Sequence, residues 1–114
     1  MDKDLKIQQK TYDMILYADK CLKQFPNYEK HVMAADIRRT MYGLLRLIIR
    51  ANKKYYKKTT LEELDIELDS LRMQIRLAAD PELRYLPIKK YEHWSKLLNE
   101  IGRMLGGWMK STKK

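Results

Sequence analysis

The chain is 114 residues long, 45% hydrophobic and 34% charged, with 4 glycines, 3 prolines, 1 cysteine and a formal net charge of +9. That is enough for one small domain with a single continuous core. Charges interrupt every apolar stretch before it reaches membrane-spanning length, the lone Cys21 excludes an internal disulfide, and the opening residues lack the apolar run of a secretion signal, so a cytoplasmic location is expected.

Taken in chain order, the apolar periodicity is helical and strand-like alternation is absent. The weakest helix is expected over about residues 5–23, where Leu5, Tyr12, Ile15, Leu16 and Leu22 are interrupted by Gln8 and Asp19. Phe25-Pro26-Asn27 ends it, because proline disfavours helix in the residue before it. A second helix is expected over 28–57, with Ala34, Ile37, Met41, Leu44, Ile48, Ala51 and Tyr55 spaced by threes and fours. A third, over 61–79, follows Leu61, Leu64, Leu68, Leu71, Ile75 and Ala78, with Thr60 and Glu63 spelling a capping box at its start. The segment 80–87 breaks the pattern, and Pro87 suits the first turn of a fourth helix over 88–110. That helix carries Tyr91, Trp94, Leu98, Ile101, Leu105 and Trp108. Short connections between long amphipathic helices imply an all-α, antiparallel up-down-up-down four-helix bundle, with residues 1–114 as one domain.

The charge is unevenly placed. Residues 1–36 balance six basic against six acidic side chains, while residues 37–58 hold eight basic and no acidic ones. Residues 59–80 hold six acids against two arginines, and the remainder has eight basic residues against three acids. Opposite the seam of the second helix, Arg39, Arg46 and Lys53 recur every seven residues, with Arg38, Arg50, Lys54, Lys57 and Lys58 adjoining. Lys89, Lys96, Arg103 and Lys110 repeat the spacing on the fourth helix. A merely solvated face is the plain alternative, but solubility does not require one-sided charge. Ridges of this kind most often meet phosphates, and binding through them is salt-dependent.

Further apolar residues lie off the seams. Tyr42, Ile49 and Tyr56, flanked by Leu45, sit on the second helix, and Ile66, Met73 and Leu77 on the third. They fit either a broader core contact or a subunit interface in which the acidic third helix meets a neighbour's basic surface, and head-to-tail pairing of that type closes into rings. The fourth helix holds Gly102 and Gly106, with Gly107 beside them, although each glycine costs about 1 kcal/mol relative to alanine in a helix interior. Close packing of another helix, within the bundle or from a second subunit, is the preferred reading over a frayed end. Trp108 is then expected to cover the flattened surface.

The stretches "LLRLIIRANKK" (44–54) and "YEHWSKLLNEIGRMLGGW" (91–108) carry a family likeness. Over roughly residues 25–111 the chain resembles the accessory variability determinant (Avd) proteins of diversity-generating retroelements. It is similar more broadly to the four-helix-bundle proteins encoded by intervening sequences in large-subunit ribosomal RNA genes. The resemblance implies a basic bundle assembled into a homo-oligomeric ring, typically a pentamer. It also implies a non-catalytic accessory protein that binds the element's reverse transcriptase and template RNA, or DNA, in mutagenic cDNA synthesis during retrohoming. Leu86-Pro87 departs from the serine-type cap expected before the fourth helix, which bears on helix entry alone. No family motif transfers RNA contacts position by position, so the basic residues rest on charge pattern. The alternative is a basic protein–protein interaction scaffold with no nucleic-acid role.

Catalytic signatures are missing from the sequence. His31 and His93 lie on different helices without the ligand spacing of a zinc site. Asp65 and Asp69 sit among Glu62, Glu63 and Glu67, which reads as an acidic helix start suited to the dipole. No glycine-rich phosphate loop follows a strand, and Cys21 reads as packing. Neither an enzyme nor a metal or cofactor is expected.

Overall fold

The computed structural model describes residues 3–112; Lys113 and Lys114, the end of the basic tail, lie outside them. Five helices follow in order: α1 (Lys3–Leu22), α2 (Asn27–Lys30), α3 (Met33–Lys53), α4 (Lys58–Ala78) and α5 (Ile88–Ser111). The four long ones stand at the corners of a square, α1 and α4 each packing on both α3 and α5. Side-chain bonds fix the antiparallel order. Arg38 meets Asp19 at one end of the α1–α3 pair and Asn52 meets Gln8 at the other. Gln74 near the end of α4 reaches Asp36 near the start of α3, and Lys10 of α1 pairs with Glu100 of α5. The result is a rod of 46 × 23 × 22 Å, the expected up-and-down bundle.

The core is the set of helical stripes. All the apolar seam residues expected on α4 are buried, as are those of α3 up to Ala51 and those of α5 from Trp94 to Trp108. Tyr91 is half-buried against them. The α1 stripe differs from expectation. Ile7, Thr11, Met14, Ala18 and Cys21 face inward at spacings of four and three, with Leu22 beside them, while Leu5, Tyr12 and Leu16 are exposed. Of the residues expected there, Leu22 is buried and Ile15 packs partly against the core; the small and polar Thr11, Ala18 and Cys21 of the inward face have modest hydrophobicity, which concealed the seam.

The second helix is shorter than expected at both ends. Residues 27–30 form a separate turn, α2, after which Val32 leaves helical geometry at φ −116°, ψ −89°. Glu29 supports the restart, its carboxylate accepting the Met33 N–H at 3.2 Å and so serving one of the free donors that begin any helix. At the far end α3 stops at Lys53. The Lys57 ammonium folds back to donate to the carbonyls of Ala51 at 2.5 Å and Lys54 at 2.6 Å, satisfying acceptors left over at a helix C-terminus. Tyr55, expected in the seam, therefore lies in the α3–α4 loop and is 88% exposed.

Thr60 is not an N-cap. Helix α4 starts at Lys58 with Lys57 at the cap position and no side-chain capping bond. Thr60 is buried in the first turn, where its hydroxyl accepts from the Lys54 ammonium at 3.2 Å. The α4–α5 connection turns through Arg84, which holds a left-handed φ of 55°. Tyr85 and Leu86 then donate backbone N–H groups to the Ala78 carbonyl at 2.9 and 3.0 Å, and Leu86 is buried as a plug over that end of the core. Pro87 occupies the cap position of α5, one residue outside the first turn where it was expected.

Candidate nucleic-acid interface and neighbouring faces

Around the rod, the basic residues fall into three situations. On α3, Arg46, Arg50 and Lys53 are exposed, and none forms an ion pair with a described carboxylate. Arg39, at the start of the same stripe, bonds Asp36 of its own helix at 3.2 Å, an exposed pair of the kind worth little and easily exchanged. Arg39, Arg46 and Arg50 line an open groove between α3 and α4, together with Gly43, Leu47 and Glu67. Nothing lies within 4 Å of where a Gly43 side chain would start, so this glycine leaves the middle of the arginine row concave.

The α5 row is also outward. Lys89, Lys96, Arg103 and Lys110 are exposed, and none pairs with a described carboxylate. Glu100 lies among them but is taken by Lys10 of α1, whose hydrogen bond is the main reason its carboxyl is held below the usual range. Because α3 and α5 hold diagonal corners, the two rows face opposite sides of the rod. That opposition cannot be read from heptad spacing, which gives a face of one helix but not its place in the bundle.

Besides Arg39, three of the expected contacts are engaged within the chain. Arg38 is partly buried and bonds Asp19 of α1 at 2.8 Å. Its guanidinium, followed by Lys23, pulls the Asp19 carboxyl below its ordinary value. Lys57 caps α3 and Lys54 holds Thr60, as described above. Lys58 remains exposed and borders a groove with Leu61, Glu62, Met109 and Thr112, where the start of α4 meets the end of α5. Lys6, Lys53, Lys58 and Lys110 thus gather at one end of the rod, the end where α1 starts, α3 gives way to α4, and α5 finishes.

Most of the off-seam apolar residues are exposed. Tyr42 and Ile49 are about two-fifths exposed, at 42% and 43%, and Leu45 is half-buried. Leu45 and Ile49 line a groove shared with Leu5 and Tyr12 of α1. Ile66, Met73 and Leu77 project from α4. A broader core contact does not account for the exposed ones, Tyr42, Ile49, Ile66, Met73 and Leu77. Tyr56, grouped with Tyr42 and Ile49 by spacing, is instead in the loop and 83% exposed.

The glycines divide. Gly102 lies beneath the Arg72 guanidinium of α4, and a β-carbon there would collide with it. Gly106 and Gly107 face open space with nothing within 4 Å. The small-xxx-small pair thus receives a side chain at one position and no helix of this chain at the other. Trp108 is buried in the core and α5 continues to Ser111, so the end is not frayed.

Cys21 is buried, and burial pushes its thiol up from its ordinary range. Its neighbour Tyr17 is raised to about 12, mainly by burial and then by Cys21. Among the described residues no group of three or more His, Cys, Asp or Glu side chains could hold a metal, and no helix is long and apolar enough to cross a membrane.

A family model described as bAvd-like matches residues 5–112. The chain belongs to the bAvd-like family. The match takes in α1 as well as the later helices, about twenty residues more than the likeness evident in the sequence. No curated protein matches the chain. Within a bAvd-like bundle, the outward rows of α3 and α5 are the surfaces with unspent positive charge, and the α1–α3 groove and outer α4 are the surfaces with unspent apolar area.

Proposed function

We propose that this bAvd-like protein is the non-catalytic accessory protein of a diversity-generating retroelement, binding template RNA and the reverse transcriptase during mutagenic cDNA synthesis. The observation that carries the RNA half is the α3 row: Arg46, Arg50 and Lys53 exposed, outward and without described carboxylate partners. Such a row positions a phosphate backbone without reading its sequence. Specificity then comes from RNA shape or from the polymerase. With rows on opposite sides of the rod, one engages RNA while the other remains for the polymerase.

We further propose that the protein works as a homo-oligomer, a pentameric ring, using the α1–α3 groove and the outer face of α4. Repetition of a weak phosphate-binding row raises its effective strength through avidity. Light scattering at micromolar concentration tests this, and a species of monomer mass alone refutes it.

The RNA reading is tested by filter binding over a salt series. Three phosphate contacts give a slope of log K against log salt of about −2 to −3. Charge reversal at Arg46, Arg50 and Lys53, set against the same change at Lys89, Lys96 and Arg103, assigns the rows. Binding that is absent at low salt, or indifferent to salt, favours the basic protein-binding scaffold instead.

A further inference from the structure

The α3–α4 loop reads Lys53-Lys54-Tyr55-Tyr56-Lys57-Lys58. Both tyrosines are almost fully exposed, more so than any other large apolar or aromatic side chain described. Their rings touch edge to face, with centroids 4.8 Å apart and planes at 83°. That arrangement is one of the favoured aromatic geometries, and it leaves ring faces open to solvent. Folding gains nothing from this placement, because neither ring reaches the core. The loop itself is well anchored: Lys57 ties the end of α3, and Lys54 is bonded to Thr60. Two aromatic faces are thus held at the tip of the rod on a short, pinned connection.

Their surroundings select an occupant. Lys53 and Lys58 flank the pair and are exposed, and Lys6 and Lys110 lie at the same end. Helix α4 begins there with no acidic residue in its first turn and no side-chain cap. A flat aromatic face bordered by lysines suits a nucleotide, whose base stacks while its phosphate meets ammonium groups. A duplex cannot use it, since its bases are already stacked on each other. Along the described α3 row the exposed aromatic is Tyr42, at 42% half as exposed as either loop tyrosine and bonded to Arg38, so the rows offer mainly charge.

Resting on the RNA-binding reading above, we infer that Tyr55 and Tyr56 form a stacking platform for unpaired nucleotides, so that the end of the rod holds single-stranded RNA while the sides hold phosphate of any form. The occupant is a single-stranded stretch of the bound RNA. A protein partner on the same tyrosines is the competing outcome.

The test uses the full-length protein and two labelled probes, an unstructured pyrimidine oligonucleotide of about a dozen residues and a blunt RNA hairpin of similar charge whose strands are joined by a non-nucleotide linker, so that it has no unpaired bases. Affinities are read by fluorescence anisotropy. Stacking on an aromatic is worth about 1–3 kcal/mol per base, so Tyr55→Ala with Tyr56→Ala lowers single-strand affinity by tenfold or more. Hairpin affinity changes less than twofold, and the salt slope for the single strand stays the same because no cation is lost. Tyr→Phe at both positions retains the wild-type preference, since the ring and not the hydroxyl does the stacking. A Tyr56→Trp variant adds a spectroscopic readout, its exposed indole being quenched by the single strand and not by the hairpin. Circular dichroism of each variant checks that the bundle is intact, as exposure of both rings leads one to expect. If the wild type binds hairpin and single strand while the double alanine variant binds both as well as wild type, the platform is refuted, the RNA reading survives, and the tyrosines are assigned to a protein contact. Equal losses on both probes also refute it. If the wild type binds neither probe at low salt, both readings fall together.

Discussion

Replacing Gly106 with alanine should stabilise the isolated bundle and reveal why the glycine is there. The position lies inside α5, which runs on to Ser111, and no atom lies within 4 Å of the added carbon. Nothing opposes the gain in helix propensity, about 1 kcal/mol. For a domain of this size that is a rise in Tm of about 4–5 °C. Gly102→Ala supplies the internal comparison. There the new carbon displaces the Arg72 guanidinium and disturbs its 2.8 Å bond to Asp69. An exposed pair three residues apart on one helix contributes about 0.3–0.5 kcal/mol, so the net gain falls to about 0.5 kcal/mol.

The assay is urea and thermal unfolding followed by circular dichroism, repeated over a range of protein concentrations. Concentration matters because a partner that binds only the folded chain raises the apparent stability. At concentrations low enough for monomer, Gly106→Ala should exceed wild type and Gly102→Ala should fall between them. At higher concentration the order should reverse for Gly106, since a methyl group or, more severely, Gly106→Leu keeps a neighbouring backbone away. If Gly106→Ala destabilises the monomer, the open space beside it is wrong. If Gly106→Leu leaves the mass by light scattering unchanged, the glycine is not an approach surface.

Other expectations follow from single contacts. Arg84→Gly relieves a left-handed φ of 55° and should stabilise by about 1 kcal/mol, read as a higher urea midpoint; no gain means that the Arg84 bond to the Pro81 carbonyl at 3.0 Å offsets the strain. Asp19 has a carboxyl lowered from its ordinary 3.8, first by the Arg38 hydrogen bond and then by Lys23. Its contribution is therefore complete above about pH 4 and is lost as pH falls through the lowered value. Asp19→Asn should be less stable than wild type at neutral pH and lose less between pH 6 and pH 2.5, and parallel losses would refute this. Cys21, buried with its thiol raised by burial, should react with Ellman's reagent about a hundredfold or more slower in the folded protein than in urea.

How far the sequence reveals this molecule depends on which contacts decide each feature. The seams of α3, α4 and α5 are legible because large aliphatic residues recur at helical spacing and burial rewards that pattern directly. In α1 the same logic is only partly right: Leu22 is buried and Ile15 packs against the core, but Leu5, Tyr12 and Leu16 are exposed while Ile7, Thr11, Met14, Ala18 and Cys21 face inward. The inward α1 face mixes large and small residues, so size alone does not mark it. The end of α3 depends on Lys57 folding back onto Ala51 and Lys54, a tertiary bond between residues that look alike in a basic run. For the same reason a list of cations does not separate Arg38, held by Asp19, from Arg46, which is free of described carboxylates. Spacing found the rows; only the bundle shows which of their members are already engaged.

The arrangement of faces also bears on how rows and assembly coexist. Going around the rod, the α1–α3 apolar groove is followed by the α3 basic row, then the apolar residues of outer α4, then the α5 basic row. Apolar and basic faces alternate. Two copies joined by placing outer α4 of one on the α1–α3 groove of the next use two different surfaces, so the contact repeats head to tail and a ring can close. The acidic side chains Glu62, Asp65 and Asp69 are on exposed positions of the same helix and would border such a contact. In the proposed ring the apolar faces would be consumed by the contact and the basic rows would stay free of it. Pairing through the basic faces instead would bring like charges together at every junction, and screening by salt would be needed for it to form at all. Assembly that weakens as salt rises would favour a contact carried by the α4 acids, whereas assembly that strengthens with salt would favour the apolar surfaces as its main support.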